Sequence, residues 1–187
     1  MKKYFVIGNP IDHSLSPALH NYWIKENNIE ANYDKKKLEE FELEDLIFKV
    51  KKRKIDGLNV TVPFKNKVIS FLDKLTFEAE QTQSVNTIYF DGNGTIGHNT
   101  DIEGFELSIK NIKYNLNDKK ILILGAGGVV PSIIFALNKM KVSNIVVANR
   151  TKKNAENLKN LFKNLSVIDW GEVPDIDMII NATTLGL

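Results

Sequence analysis

Three groups of polar residues follow short apolar runs, where chemistry-bearing side chains tend to stand: Ser14 and Ser16; Asn59, Thr61 and Lys65; and Asn86 with Asp101. All except Lys65 and Asp101 are small and neutral. Hydroxyls and amides converging on a concavity suit a polyhydroxylated ligand, because each ligand hydroxyl needs both a donor and an acceptor. A lysine near an aspartate can pass a proton while a hydride moves to or from a carbon. Each residue also has a plainer use. Ser14 and Ser16 fit a turn or helix cap, Asn86 can satisfy backbone groups, and Lys65 with Asp101 fits a surface ion pair contributing about 0–1 kcal/mol.

Hydride chemistry needs a carrier, and residues 120–150 read as a buried strand, a glycine turn, a helix and a second strand. The apolar run 121–124 suits a parallel strand covered on both faces. Gly125 and Gly127 have the spacing of a dinucleotide turn, whose third small residue is replaced here by Val130. Gly125 allows the tight turn, and Gly127 lets the backbone approach a pyrophosphate on the first N–H groups of the helix. Gly128 removes another side chain from this crowded turn, which Ala126 and Val129 complete. Pro131 falls in the first helical turn, where its missing donor costs little. The competing reading is a glycine turn that only packs a helix close to a sheet.

The second strand, 144–148, ends without the carboxylate that favours an unphosphorylated ribose. It runs instead into Asn149, Arg150, Thr151, Lys152 and Lys153. Arg150 can fork onto a 2′-phosphate, Thr151 can donate a hydroxyl, and a lysine adds charge. The alternative is a solvated helix start with Thr151 as N-cap.

These residues need elements to hold them. Strands are expected at 4–7, 31–38 and 57–62, with helices at 17–27 (Leu19, Trp23 and Ile24 inward), at 42–52 on the Leu43, Leu46, Ile47, Val50 stripe, and around Val68, Ile69 and Leu72. Residues 85–90 and 95–98 flank Asp91-Gly92-Asn93-Gly94, a hairpin signal. A connecting helix is expected at 104–112, a further helix to about residue 163, and strands at 166–168 and 177–180, the last running into a loop at 181–187. A doubly wound sheet normally needs two more strands with their helices, so the chain is expected to be truncated at its C-terminus. The pattern predicts an α/β protein with domains at 1–102 and 103–187.

The 187 residues allow two small domains, and the composition is that of a soluble globular chain. No apolar run spans a membrane and no signal pattern follows Met1, so a cytoplasmic protein with no membrane partner is expected. The absence of cysteine excludes disulfides and thiol chemistry. A formal charge of +2 is too small to argue for nucleic acid. His13, His20 and His98 lack a metal-ligand spacing, so no metal is expected.

Taken together, Gly8-Asn9-Pro10 through His13-Ser14-Leu15-Ser16-Pro17 and His20-Asn21, residues 59–65, Ser84-Val85-Asn86-Thr87, Gly97-His98-Asn99-Thr100-Asp101, the 125–128 turn, Asn149-Arg150-Thr151 and Asn181-Ala182-Thr183 make the chain resemble the shikimate dehydrogenases, over residues 4–187. The resemblance implies an N-terminal shikimate-binding α/β domain and an NADP-binding Rossmann domain, here incomplete at its C-terminus. It implies reversible NADP-dependent reduction of 3-dehydroshikimate to shikimate, a step of chorismate and aromatic amino-acid biosynthesis. Ser14 and Ser16 would bind the substrate carboxylate, and Asn59, Thr61, Asn86 and Asp101 the ring hydroxyls. Lys65 would transfer the proton, assisted by Asp101. Gly125, Ala126, Gly127, Gly128 and Val129 would cradle the pyrophosphate of NADP, Asn149, Arg150, Thr151 and Lys152 would read its adenosine phosphate, and Thr183 would lie along its inner half. The expected state is monomer or homodimer. Two alternatives stay open: an NAD-using quinate/shikimate dehydrogenase, and a non-catalytic shikimate- or nucleotide-binding module, especially if the chain is truncated.

Overall fold

In the computed structural model, which describes residues 1–185, Lys2–Gly8 forms strand β1 and becomes progressively buried toward its end. It pairs in parallel with β2 (Ala31–Lys37) on one side and β3 (Gly57–Val60) on the other. Beyond β3 lie the antiparallel strands β5 (Thr87–Phe90) and β6 (Thr95–His98), with β4 (Lys74–Leu75) parallel to β6 at the outer edge. The order is β2-β1-β3-β5-β6-β4. The expected hairpin is present: Asp91 Oδ1 accepts the N–H groups of Asn93 (2.8 Å) and Gly94 (3.0 Å), which closes the turn.

Helix α2 (Leu43–Lys51) buries the predicted stripe of Leu43, Leu46, Ile47 and Val50 against Ile7, Leu58, Val60 and Ile88. Each such side chain contributes roughly 1.5–3 kcal/mol on leaving water. Helix α1 (Ser16–Glu26) departs from expectation, since none of its residues is fully buried and Leu19 and Trp23 are each 48% exposed. Only Ile24 of the expected inward set packs partly against a buried cluster, that of Val6, Ile11 and Tyr33.

Strand β3 is two residues shorter than its sequence suggests. Thr61 still donates its N–H to the Ile7 carbonyl (2.9 Å), but Phe64 N–H returns to the Thr61 carbonyl (2.9 Å) and turns the chain away. This turn sits so close to β1 that a Cβ on Gly8 would lie 2.6 Å from Thr61 Cγ2, which is why glycine ends that strand. The helix expected around Val68 is a 3₁₀ segment, Lys67–Phe71, after which Leu72 is extended and leads into β4. Helix α3 (Phe77–Thr82) follows, capped by the Thr76 hydroxyl.

The chain divides into two units at Thr100 and Asp101, two residues ahead of the expected boundary. Helix α4 (Asp101–Asn111) opens the second unit, starting three residues early with Asp101 and Glu103 in its first turn, where carboxylates interact favourably with the positive end of the helix dipole. The strand–turn–helix–strand unit is as read: β7 (Lys120–Leu124), α5 (Val130–Lys139, with Pro131 in its first turn) and β8 (Asn144–Ala148). Helix α6 (Lys152–Asn157) is shorter than expected and tightens into a 3₁₀ turn, Leu158–Asn160, that carries Leu158 into the core with Phe162 and Leu165. β9 (Ser166–Ile168) and β10 (Met178–Asn181) complete a fully parallel sheet of order β10-β7-β8-β9. This is one half of a doubly wound sheet with a further strand, β10, across the switch point. Gly186 and Leu187, assigned by sequence to the last loop, lie outside the described residues.

Among the described residues no helix is long and apolar enough to cross a membrane, and no cluster of three or more His, Asp or Glu side chains is arranged to hold a metal ion.

Candidate functional site

Strand directions decide which predicted residues meet. In the first unit, β1 and β3 run parallel and β5 runs against them, so the residues after β1, after β3, before β5 and after β6 all emerge at one edge of the sheet. These are the loop carrying Ser14 and Ser16, the turn carrying Thr61 and Lys65, Asn86, and Thr100. In open α/β sheets such an edge, at the carboxyl ends of the parallel strands, is where ligands bind. Local hydrogen bonds fix each position. Ser14 N–H donates to the Ile11 carbonyl (3.0 Å) and its Oγ accepts Ser16 N–H (3.3 Å), so the serine loop is a self-closed turn. Lys65 is half-buried, and its carbonyl accepts Val85 N–H (2.8 Å), which ties its turn to the segment before β5.

Asn86 is held at both ends of its amide. Its Oδ1 accepts Thr100 N–H (2.9 Å) and the Thr87 hydroxyl (3.0 Å), while Nδ2 donates to Thr100 Oγ1 (2.9 Å). Asn59 donates through Nδ2 to the Asn86 carbonyl and to Thr87 Oγ1, both at 3.2 Å, and its Oδ1 accepts the Tyr33 hydroxyl (2.7 Å). Both donors of the Asn59 amide are thus engaged inside the protein, leaving only spare acceptor capacity on its oxygen. Asp101 is the residue after Thr100 and the first of α4.

The sequence did not single out Tyr33, Asn21, His20, Thr87 or Thr100 as site residues. Asn21 clasps the main chain of Tyr33, donating to its carbonyl (2.7 Å) and accepting its N–H (3.0 Å), so a side chain continues the edge of β2. The His20 ring stacks on the Tyr33 ring with centroids 4.1 Å apart and 5° between planes. Burial lowers the His20 pKa from its ordinary value and raises that of Tyr33, so near pH 7 the imidazole is neutral and the phenol keeps its proton. The motif His20-Asn21 was visible, but its contact with a tyrosine twelve residues on has no local signature.

In the second unit, the turn after β7 and the loop after β10 face each other across the switch point between those strands. Gly125 has φ +111°, and a Cβ there would lie 2.8 Å from the Ala182 carbonyl oxygen, so the position demands glycine twice over. A Cβ on Gly127 would meet nothing within 4 Å: the backbone there faces open space that a ligand can enter. Ala126 and Val129 are half-buried against the core, and Gly128 is exposed. Thr183 donates both N–H (3.0 Å) and hydroxyl (2.7 Å) to Asn181 Oδ1, which shapes the facing loop.

At the end of β8, Asn149 donates to the Thr151 carbonyl (2.8 Å) and bends the chain so that Arg150 is exposed. Thr151 does occupy the N-cap position of α6, yet its hydroxyl makes no capping hydrogen bond. Lys152 is held by Asp169 (2.7 Å), which raises its pKa through that hydrogen bond. This carboxylate, just past β9, escaped the sequence reading because it lies seventeen residues from the lysine it meets. An open glycine turn at a switch point, beside a cationic strand end, fits a phosphorylated dinucleotide.

Family models match both units: a shikimate dehydrogenase substrate binding domain over residues 6–88, and shikimate / quinate 5-dehydrogenase over residues 106–185. The chain is 59% identical over its whole length to a shikimate dehydrogenase (NADP(+)) of Pelagibacter ubique, of which it spans 71%. Its structure is similar to shikimate dehydrogenase from Aquifex aeolicus (TM-score 0.90, 36% identity), covering all of this chain and 70% of that one. It is also similar to shikimate 5-dehydrogenase from Thermus thermophilus in complex with NADP(H) and shikimate (TM-score 0.88, 31% identity), covering 98% of this chain and 69% of that one. With both units matched in order and at these identities, the chain belongs to the shikimate dehydrogenase family.

Proposed function

We propose that this chain catalyses the NADP-dependent, reversible reduction of 3-dehydroshikimate to shikimate, in aromatic amino-acid biosynthesis. The observation that carries the reading is the gathering of Ser14, Thr61, Lys65 and Asn86 at one sheet edge, in a chain whose second unit has an open glycine turn at its switch point.

Ser14 and Ser16 offer hydroxyls to the substrate carboxylate. Thr61 and Asn86 hold ring hydroxyls, as does Asp101, and the committed amide of Asn59 contributes its oxygen and the placement of Asn86. Lys65 gives a proton to the oxygen at C3 as negative charge develops there, and Asp101 assists it; in the oxidative direction the same proton returns to Lys65. An ammonium already in place when that charge forms lowers the barrier without reorganisation during the reaction. When bound, NADPH supplies the hydride. Gly125, Ala126, Gly127, Gly128 and Val129 would hold its pyrophosphate, Asn149, Arg150, Thr151 and Lys152 its adenosine phosphate, and Thr183 its inner half. The exposed Arg150 and the lack of a carboxylate closing β8 favour NADP over NAD.

The test is shikimate-dependent reduction of NADP⁺ by this chain and by Lys65→Ala. Turnover is expected to fall by about 10²-fold or more, as for loss of a general acid–base group, with a much smaller change in shikimate KM. Near-normal turnover in the variant removes Lys65 from the chemistry.

A further inference from the structure

We propose that Tyr33 is a positioning residue of the substrate site, acting through Asn59 and Thr87 on the amide of Asn86. This rests on the reading of Asn86 as a ligand of a substrate hydroxyl.

The direction of every hydrogen bond in the series follows from chemistry. Asn59 faces the main-chain carbonyl of Asn86, which can only accept, so the Asn59 atom there is nitrogen. Its other amide atom is then oxygen, and the Tyr33 hydroxyl must donate to it. Asn86 faces the main-chain N–H of Thr100, which can only donate, so the Asn86 atom there is oxygen. Thr87 lies between the two amides. It accepts from Asn59 Nδ2, and because Asn86 Oδ1 can only accept, the Thr87 hydroxyl gives its single proton there. The result is a one-way series, Tyr33 to Asn59 to Thr87 to Asn86, ending on an amide whose oxygen also accepts Thr100 N–H, with Thr100 Oγ1 2.9 Å from its nitrogen and 3.2 Å from its oxygen.

Tyr33 is anchored for such a role. Its side chain is buried, its ring lies on His20, and Asn21 holds its main chain at both N–H and carbonyl. Without the phenol, Asn59 Oδ1 loses its donor, the Asn59 amide is held only through the two 3.2 Å contacts of its nitrogen, and Thr87, placed by one of them, is held less firmly against Asn86 Oδ1. The substrate hydroxyl then meets an amide whose oxygen still accepts Thr100 N–H but whose second anchor, the Thr87 hydroxyl, is loosened.

Tyr33→Phe keeps the ring and its stacking and removes only the hydroxyl. Its expected effect is a rise of about 3- to 10-fold in shikimate KM with kcat within about 2-fold, and with NADP⁺ KM and melting temperature near those of the unaltered chain. Thr87→Val should raise shikimate KM similarly, and adding Tyr33→Phe to it should cost nothing more, because the series is already cut. Thr87→Ser, which keeps the hydroxyl, should restore the original KM. Additive effects of the two substitutions, or an unchanged KM in Tyr33→Phe, overturn the proposal. A chain with no shikimate-dependent activity before any substitution would sink the reading of the site instead. The series is then judged by NMR on the side-chain amide signals of Asn86: displacement in Tyr33→Phe supports it, and unmoved signals overturn it.

Discussion

Replacing Arg150 with alanine separates the two cofactors by a calculable amount. Of the cations after β8, Lys152 already serves Asp169 at 2.7 Å, so its charge is partly compensated before any phosphate arrives. Arg150 is exposed at the turn set by Asn149, and its guanidinium is the group best shaped to fork onto a 2′-phosphate. A hydrogen bond to a charged group contributes about 1.5–3 kcal/mol. Since about 1.4 kcal/mol is a factor of ten, Arg150→Ala should weaken NADP⁺ binding by about 10- to 150-fold. NAD⁺ carries no 2′-phosphate, and its affinity should change by less than about 2-fold. Isothermal titration of both cofactors at low and moderate salt measures this directly. The difference should shrink as salt rises, because the contact is solvent-exposed and screened. Equal losses for NADP⁺ and NAD⁺, or an unchanged NADP⁺ affinity, would refute the assignment of this strand end to the adenosine phosphate.

Asp169→Asn works in the opposite sense: it frees Lys152 and removes a negative charge beside the proposed phosphate position, so NADP⁺ should bind about 2- to 5-fold more tightly at low salt, with little change for NAD⁺. A titration in which NADP⁺ binding weakens would mean that the Lys152–Asp169 pair shapes the site. Asp73 is lowered from its ordinary 3.8 to about 2, first by the hydrogen bond from Lys51 (2.6 Å), then by Thr95 N–H (2.8 Å) and the Thr95 hydroxyl (2.9 Å). A depressed carboxylate stabilises the fold at pH values above its unfolded pKa, and that contribution is lost as pH falls through the folded one. The unaltered protein should therefore lose stability between about pH 4 and about pH 2 more steeply than Asp73→Asn in urea denaturation at fixed pH values. Parallel curves for the two proteins would show that the Lys51–Asp73–Thr95 cluster adds nothing to stability.

The parts of the fold visible in the sequence are those whose determinants are local. Residues 120–150 announce their strand, turn, helix and strand because an apolar run, two glycines, a proline at the helix start and a β-branched run lie side by side. The Asp91–Gly94 turn is equally local, with its hydrogen bonds within three residues of the aspartate. Helix α1 misleads because an apolar side chain states a preference and not a location: Leu19 and Trp23 face outward. Strand β4 has only two residues, too few to show a period, and exists because β6 offers it an edge. In the candidate site, the sequence offers single residues but not their connections. Tyr33 to Asn59, Asn59 to the Asn86 carbonyl, and Asn86 to Thr100 span 26, 27 and 14 residues, distances over which only the fold brings partners together.

The proposed sites of the two units differ in their hydrogen bonding, and so in the physics by which each would meet a ligand. At the edge of the first sheet, Asn59, Thr87, Asn86 and Thr100 donate to and accept from one another, so the amides are oriented before a ligand arrives. Such a network suits a many-hydroxyl ring, for which affinity comes from matching donors to acceptors and preorganisation lowers the ordering cost. In the second unit the turn at Gly127 stands open, Arg150 is exposed, and the lysine two residues on is paired with a surface aspartate. That arrangement suits phosphates, which bring their own charge and need backbone approach more than a prearranged pattern of hydroxyls. The asymmetry also explains which residues tolerate change. Substitution within the amide network should disturb partners several links away, whereas altering the exposed Arg150 should have consequences confined to the phosphate it is proposed to read.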